Sequence, residues 1–156
     1  MKERRSILFV CTGNICRSPT AEGVFRSLCK QAGVELRIES AGLGDWHVGH
    51  PPDERSQQHA RNRGYDLSAQ RARQVRPSDF DEFDLILAMD NGHLRELRRM
   101  APSRHHAKIR LFVAGRDVPD PYDGGPDGFE HVLDLVEAQC RSLFTELSTP
   151  IKPPTS

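Results

Sequence analysis

Four consecutive apolar residues, Ile7-Leu8-Phe9-Val10, open the hydrophobic pattern of this chain. A short run without alternation reads as a strand buried on both faces. From Pro19 to Gly33 the period changes. Ala21, Val24, Phe25, Leu28 and Ala32 recur at helical spacing, and Gly33 supplies the stop. Glu35–Ala41 reads as a second strand. Asp53–Arg63 reads as a helix, opened by Pro51-Pro52-Asp53 and closed by Gly64. Leu85–Met89 is a third strand, followed by a helix carrying Leu94, Leu97 and Met100 that Asp90 or Asn91 can cap. Ile109–Val113 is a fourth strand. Gly128–Leu147 is the last helix, with Phe129, Val132, Leu133, Val136, Cys140, Leu143, Phe144 and Leu147 on one stripe. Residues 148–156, rich in Pro, Ser and Thr, read as a flexible tail. Strand and helix alternate throughout. The pattern predicts one α/β domain over residues 1–156: three α/β/α layers around a doubly wound, four-stranded parallel sheet. Such sheets bind ligands beyond the carboxyl ends of their strands.

Composition narrows the classes. With 156 residues the chain is long enough for a core of its own. Lys plus Arg and Asp plus Glu each number 22, so no global field draws it to nucleic acid or to a membrane surface. Hydrophobic residues make up 37% of the chain, and no apolar stretch nears the roughly 20 residues of a membrane span. Met1-Lys2-Glu3-Arg4-Arg5 runs straight into the first strand without a signal-peptide pattern, so the expected location is the cytoplasm. There Cys11, Cys16, Cys29 and Cys140 are expected to be reduced. Cys11 and Cys16 lack a C-x-x-C or histidine partner set, so no metal and no cofactor are expected. Cys29 and Cys140 fall in helical patterns and read as small core residues.

The segment after the first strand carries the chemistry. Val10-Cys11-Thr12-Gly13-Asn14-Ile15-Cys16-Arg17-Ser18-Pro19 places a cysteine six residues before an arginine on a loop between strand and helix. Backbone amides of a turning loop and of a helix N-terminus converge on an anion at little reorganisation cost. Gly13 permits unusual backbone angles. Pro19 suits the first helical turn. Arg17 offers a planar fork for two phosphate oxygens. Such positive surroundings favour a thiolate at Cys11, and Ser18 could donate to it. Read alone, a cysteine closing a strand is a core residue. Gly13, Arg17, Ser18 and Pro19 together change that reading. The loop lacks the Gly-Lys-Ser/Thr ending of a Walker motif and the G-x-G-x-x-G of a dinucleotide site. Farther on, Val118-Pro119-Asp120-Pro121-Tyr122 offers a carboxylate in a loop stiffened by two prolines; by itself Asp-Pro marks a turn. Trp46, on the polar stretch 42–52, either staples that loop to the body or lines a site.

Residues 10–22 resemble the signature loop of the low-molecular-weight protein tyrosine phosphatases. Ser40-Ala41-Gly42, Gly49-His50-Pro51-Pro52-Asp53, Ala88-Met89-Asp90 and residues 118–122 follow in that family's order, so the likeness spans roughly residues 5–147. The resemblance implies a flavodoxin-like fold and a metal-independent phosphoric monoester hydrolase acting on phosphotyrosine proteins, a tyrosine kinase among the candidate partners. It implies that Cys11 becomes a phosphocysteine while Arg17 binds the phosphoryl group. Asp120 would protonate the leaving oxygen and then activate water. Thr12, Gly13, Asn14, Ile15, Cys16 and Ser18 would form the phosphate loop, with Asn14 holding its shape and Ser18 steadying the thiolate. Trp46 and Tyr122 would sandwich a phenyl ring, and His47 is the alternative to Trp46. Cys16 matches a second loop cysteine that can pair reversibly with Cys11; otherwise it is an inert loop residue. Asp90 would touch the far side of the site, or else only cap a helix.

The chain departs from the family in two places. Gln70 stands where many relatives carry a histidine and cannot become a cation. Asp123 replaces the second of two tyrosines, which removes a phosphorylation site. Asp123 and Asp127 rank behind Asp120 as acids. The arginine stretches 71–76 and 95–104 read as solvated helical surface rather than a docking face. A protein arginine phosphatase shares the loop but typically has Thr at the position of Ile15. Arsenate reduction on this scaffold needs relay cysteines that residues 30–139 lack. A silent phosphoprotein-binding module is the non-enzymatic alternative.

Overall fold

The computed structural model describes residues 5–121 and 125–148. Four strands form one parallel sheet: β1 (Ser6–Cys11), β2 (Arg37–Gly42), β3 (Leu85–Ala88) and β4 (Ile109–Leu111), in the order β2-β1-β3-β4. β1 is central, pairing Cys11 with Gly42 on one side and Val10 with Ala88 on the other. The chain leaves β1 towards β2 and returns to the opposite side for β3, so the reversal of strand order lies at the carboxyl end of β1. That is where Cys11 sits.

The helices are α1 (Arg17–Ala32), α2 (Glu54–Asn62), α3 (Asp79–Glu82), α4 (Asn91–Met100) and α5 (Pro126–Ser148). Alternation within the buried strands sends Ile7, Phe9, Leu85 and Leu87 into one apolar cluster with α1 and α5. Leu8, Val10, Ile86 and Ala88 enter the other, with Phe80 of α3 and Leu97 of α4. This is the three-layer arrangement expected. Phe9 anchors the larger core edge-on to Phe25 and Phe112, at 6.1 and 5.4 Å between ring centroids. Full burial of such a ring contributes about 2–3 kcal/mol. Cys29 and Cys140 are buried within that core, as their helical positions suggest.

Element boundaries moved for local reasons. α1 starts at Arg17 rather than Pro19 because Cys16 O already accepts from Thr20 N, at 3.2 Å. It ends where Gly33, at φ 70°, turns left-handed and lets Val34 N reach Cys29 O. β2 begins at Arg37, two residues later than expected, and runs on to Gly42. α5 starts two residues earlier than expected, at Pro126, where a missing amide costs nothing. α3 and a 3₁₀ turn over Ser103–Lys108 were not anticipated. No helix among the described residues is long and apolar enough to cross a membrane. The expected tail lies outside the described residues apart from Ser148, which ends α5.

Candidate active site

The loop of residues 12–16 is held from three directions. Below it, Leu43 N donates to Cys11 O and Gly44 N to Thr12 O, both at 3.0 Å, so the start of the 43–52 segment runs against it. A Cβ on Gly42 would stand 2.9 Å from Gly13 C and Thr12 O, which explains a glycine at that strand end. At the side, Asp53 caps α2 by accepting from Arg55 N and Ser56 N, while its own amide donates to Ile15 O at 2.8 Å. Inside the turn, Asn14 adopts φ 60°, the one positive φ of a non-glycine among the described residues. Asparagine tolerates this region better than most residues.

Hydrogen bonds hold that conformation. Asn14 Nδ2 donates to Ser18 Oγ at 2.8 Å and to Ser40 Oγ at 2.9 Å, and Asn14 Oδ1 accepts from Arg73 N at 3.0 Å. Ser40 passes its hydrogen to Glu22 Oε1, 2.7 Å away. Ser18 receives from Asn14, so its own hydrogen is left for Cys11 Sγ at 2.9 Å, with Ala41 O more distant at 3.5 Å. Asn14 and Ser18, to which the resemblance gives supporting roles, are thus joined by a hydrogen bond. Ser40, Glu22 and the Arg73 amide complete the network.

Arg17 is 4% exposed. Its Nη1 donates to Asp90 Oδ2 and to Val118 O, each at 3.0 Å. Its Nη2 donates to Thr12 Oγ1 at 3.3 Å and lies 3.7 Å from Asp120 Oδ2. Asp90 both caps α4, through His93 N at 2.8 Å, and braces the guanidinium, so its two readings hold together. Burial works to raise the Asp90 carboxyl, but the His93 amide, the His93 ring and Arg17 together hold it below its ordinary value. The loop carrying Asp120 is tied down by Val118 N to Met89 O and by Asn91 to Asp117.

A cleft of about 240 Å³ opens above the loop, lined by Cys11, Thr12, Gly13, Ile15, Cys16, Arg17, Trp46, His47 and Asp120. Cys16 precedes α1 without a side-chain cap, which leaves the first-turn amides available to an anion. Trp46 and His47 both line this space. The Trp46 ring rests on Gly44, where a Cβ would come within 1.8 Å of it, and the His47 ring covers Gly13. Burial pushes the Cys16 thiol up to about 12, against a hydrogen bond from Ser56, with Asp53, Cys11 and Asp120 adding to the rise. Tyr122 and Asp123 lie outside the described residues. Asp127 is exposed in the first turn of α5 and does not line the cleft.

A thiol, a guanidinium and a carboxylate thus meet over one strand-to-helix loop, and the likeness to known proteins fits that geometry. The family model described as low molecular weight phosphotyrosine protein phosphatase matches residues 6–152. The chain belongs to this phosphatase family. It is 47% identical to a low molecular weight protein-tyrosine-phosphatase of Streptomyces coelicolor, covering 94% of this chain and 95% of that one. A Bacillus subtilis member, YfkJ, is 41% identical over 91% and 95% of the two chains. A crystal structure of an Entamoeba histolytica protein tyrosine phosphatase, with Hepes in its active site, superposes with a TM-score of 0.87 at 37% identity, over 91% of this chain and 96% of that one.

One sequence reading of this phosphatase's flanks needs correction. Arg73 is not on a solvated helix: it lies in an extended segment, paired with the fully buried Asp79 at 3.0 and 3.1 Å. The other stretch is the solvated helical surface expected, with Arg95, Arg98 and Arg99 exposed on α4 and Arg104 exposed in the turn after it; Arg99 pairs with Glu96 and Arg104 with Asp81. Gln70 donates to Pro19 O at 3.0 Å, at the start of α1. His93, buried beside Thr12 and Asp90, went unread because its chain position resembles any polar first-turn residue.

Proposed function

We propose that this chain hydrolyses phosphotyrosine in proteins through a cysteinyl-phosphate on Cys11. The observation that carries this reading is the convergence of Cys11, Arg17 and Asp120 on one cleft beside the α1 N-terminus. The phosphoryl group settles against the loop amides and Arg17, which neutralise the charge that develops in the transition state. Cys11 sulfur attacks phosphorus from the loop floor while the phosphorus–oxygen bond to the phenol breaks. Asp120, at the opposite wall, gives its proton to the departing oxygen. The resulting carboxylate then takes a proton from water, which attacks the phosphocysteine and releases inorganic phosphate. Ser18, hydrogen-bonded to Sγ, steadies the thiolate each time it reforms.

Ile15 and Trp46 give the cleft apolar walls, which favour an aryl ester over phosphoarginine. The proposed partners are phosphotyrosine proteins, a tyrosine kinase among them. The proposed compartment is the cytoplasm, whose reducing conditions suit four free cysteines. Turnover of an aryl phosphate without divalent ions, abolished in Cys11→Ser, tests the reading. Asp120→Ala should lower kcat by about 10²–10⁴-fold for poor leaving groups and far less for good ones. Phosphopeptide binding without turnover by the wild type would make the protein a binding module instead. Faster phosphoarginine than phosphotyrosine turnover would make it an arginine phosphatase.

A further inference from the structure

Arg17 is gripped on two sides by groups that share one neighbour. Thr12 Oγ1 accepts from Nη2 and Asp90 Oδ2 from Nη1. His93 lies between these two holders. Its Nε2 is 2.8 Å from Thr12 Oγ1, its amide donates to Asp90 Oδ1 at 2.8 Å, and its Nδ1 faces that same oxygen at 3.3 Å. The four residues close a ring around the anion-binding fork.

We propose that His93 is a positioning residue for oxyanion binding, fixing the orientation of the Arg17 guanidinium through Thr12 on one side and Asp90 on the other. This rests on the phosphatase reading and assigns its loop an additional support.

Proton bookkeeping sets the direction of each bond. A guanidinium only donates and a carboxylate only accepts. Thr12 Oγ1 therefore receives from Arg17, and its own hydrogen is left for His93 Nε2. The single ring hydrogen of neutral His93 then sits on Nδ1, turned towards Asp90 Oδ1. Among the described residues Nδ1, which is buried, has no hydrogen bond of regular geometry. The opposite tautomer would aim a lone pair at a carboxylate. Burial, with Arg17 nearby, lowers the His93 ring to about 4 despite Asp90, Asp120 and Asp117, so the neutral form prevails at pH 7. In that state Thr12 presents a lone pair, not a hydrogen, to the guanidinium. Removing the ring frees the Thr12 hydroxyl to rotate and leaves Nη2 with a mobile partner. The cost falls on phosphoryl recognition.

The test is a cycle of His93→Ala, Thr12→Val and the double variant, with His93→Gln and Thr12→Ser as conservative controls. It reads kcat and KM for an aryl phosphate and, by calorimetry, the affinity for inorganic phosphate. His93→Ala should weaken phosphate binding and kcat/KM by about tenfold. His93→Gln, whose amide can accept from Thr12 and donate to Asp90, should recover most of that loss. In the Thr12→Val background the His93→Ala effect should shrink to about twofold or less, because the shared link is already cut. Fully multiplicative losses would overturn the proposal, as would a His93→Ala protein with lowered melting temperature but unchanged phosphate affinity. Should His93→Ala fail to fold, the Thr12 pair decides. Thr12→Val must lose phosphate affinity and Thr12→Ser must keep it; wild-type affinity in Thr12→Val would sink the idea. A wild type that binds phosphate but turns over no ester would reject the phosphatase reading while leaving this comparison readable.

Discussion

Cys11 and Cys16 stand five positions apart on one loop and meet different surroundings. Cys11 faces the Ser18 hydroxyl at 2.9 Å on the cleft floor, while Cys16 is held as a thiol by burial. Iodoacetate at neutral pH should therefore modify Cys11 first, and inorganic phosphate should protect it. Peptide mass spectrometry checks this; faster loss of Cys16 would contradict the assignment. At this scale the sequence was legible where function is written into one short segment. Cys11, Asn14, Arg17 and Ser18 lie within eight residues, and the chemistry of their side chains is evident without a fold. Glu22 lies one turn along α1 from Ser18, and Ser40, Arg73 and His93 come from separate segments. Each is an ordinary polar residue until folding brings it beside the loop.

At the scale of elements, the segment between α2 and α3 shows how distant residues shape the cradle. Asp79 opens a four-residue helix, is wholly buried, and accepts from Arg73 and from Arg76 N at 2.7 Å. Those bonds fix the extended segment whose Arg73 amide holds Asn14 and whose residues 73–75 pair with Gly42. Asp79→Ala would leave the half-buried Arg73 guanidinium with only Glu39 as a carboxylate partner among the described residues. The expected loss is about 3–5 kcal/mol in urea unfolding, with a fall in kcat/KM because Asn14 loses an anchor. Unchanged kinetics in a destabilised variant would show that the strut serves stability only. Hydrophobic periodicity identified the longer helices and all four strands. It missed α3, since four residues of Asp-Phe-Asp-Glu carry no period and their order comes from the buried carboxylate. Its boundaries slipped where tertiary bonds, such as Arg37 N to Arg5 O, decide where pairing begins.

For the whole molecule, formal charge cancels near neutrality, so the pH dependence of stability falls to a few buried groups. His93 is lowered from 6.5 to about 4 in the folded state. Between those values the unfolded chain binds the extra proton, and stability falls as pH drops through that window. Below about 4 both states carry the proton and this contribution levels off. Asp90, held low by its partners, adds loss in the same direction at still lower pH. Urea unfolding of wild type and His93→Gln from pH 7 to 4 should show the wild type losing more stability as acid is added; parallel curves would contradict the shift. The layer architecture was readable because every strand is separated from the next by a helical segment, and the position of the site followed from the rule for open parallel sheets. Strand order was not readable, since pairing is set by which faces can be covered together.

Gly44 has one more effect. By omitting a side chain it lets the indole of Trp46 lie across the backbone at the cleft rim, 68% exposed. The chain has a single tryptophan, so its red-edge emission comes from one place. An aromatic phosphate entering the cleft strips water from that indole and shifts its fluorescence to the blue. Ligand occupancy can therefore be followed in the unlabelled protein, including variants too slow to assay by turnover.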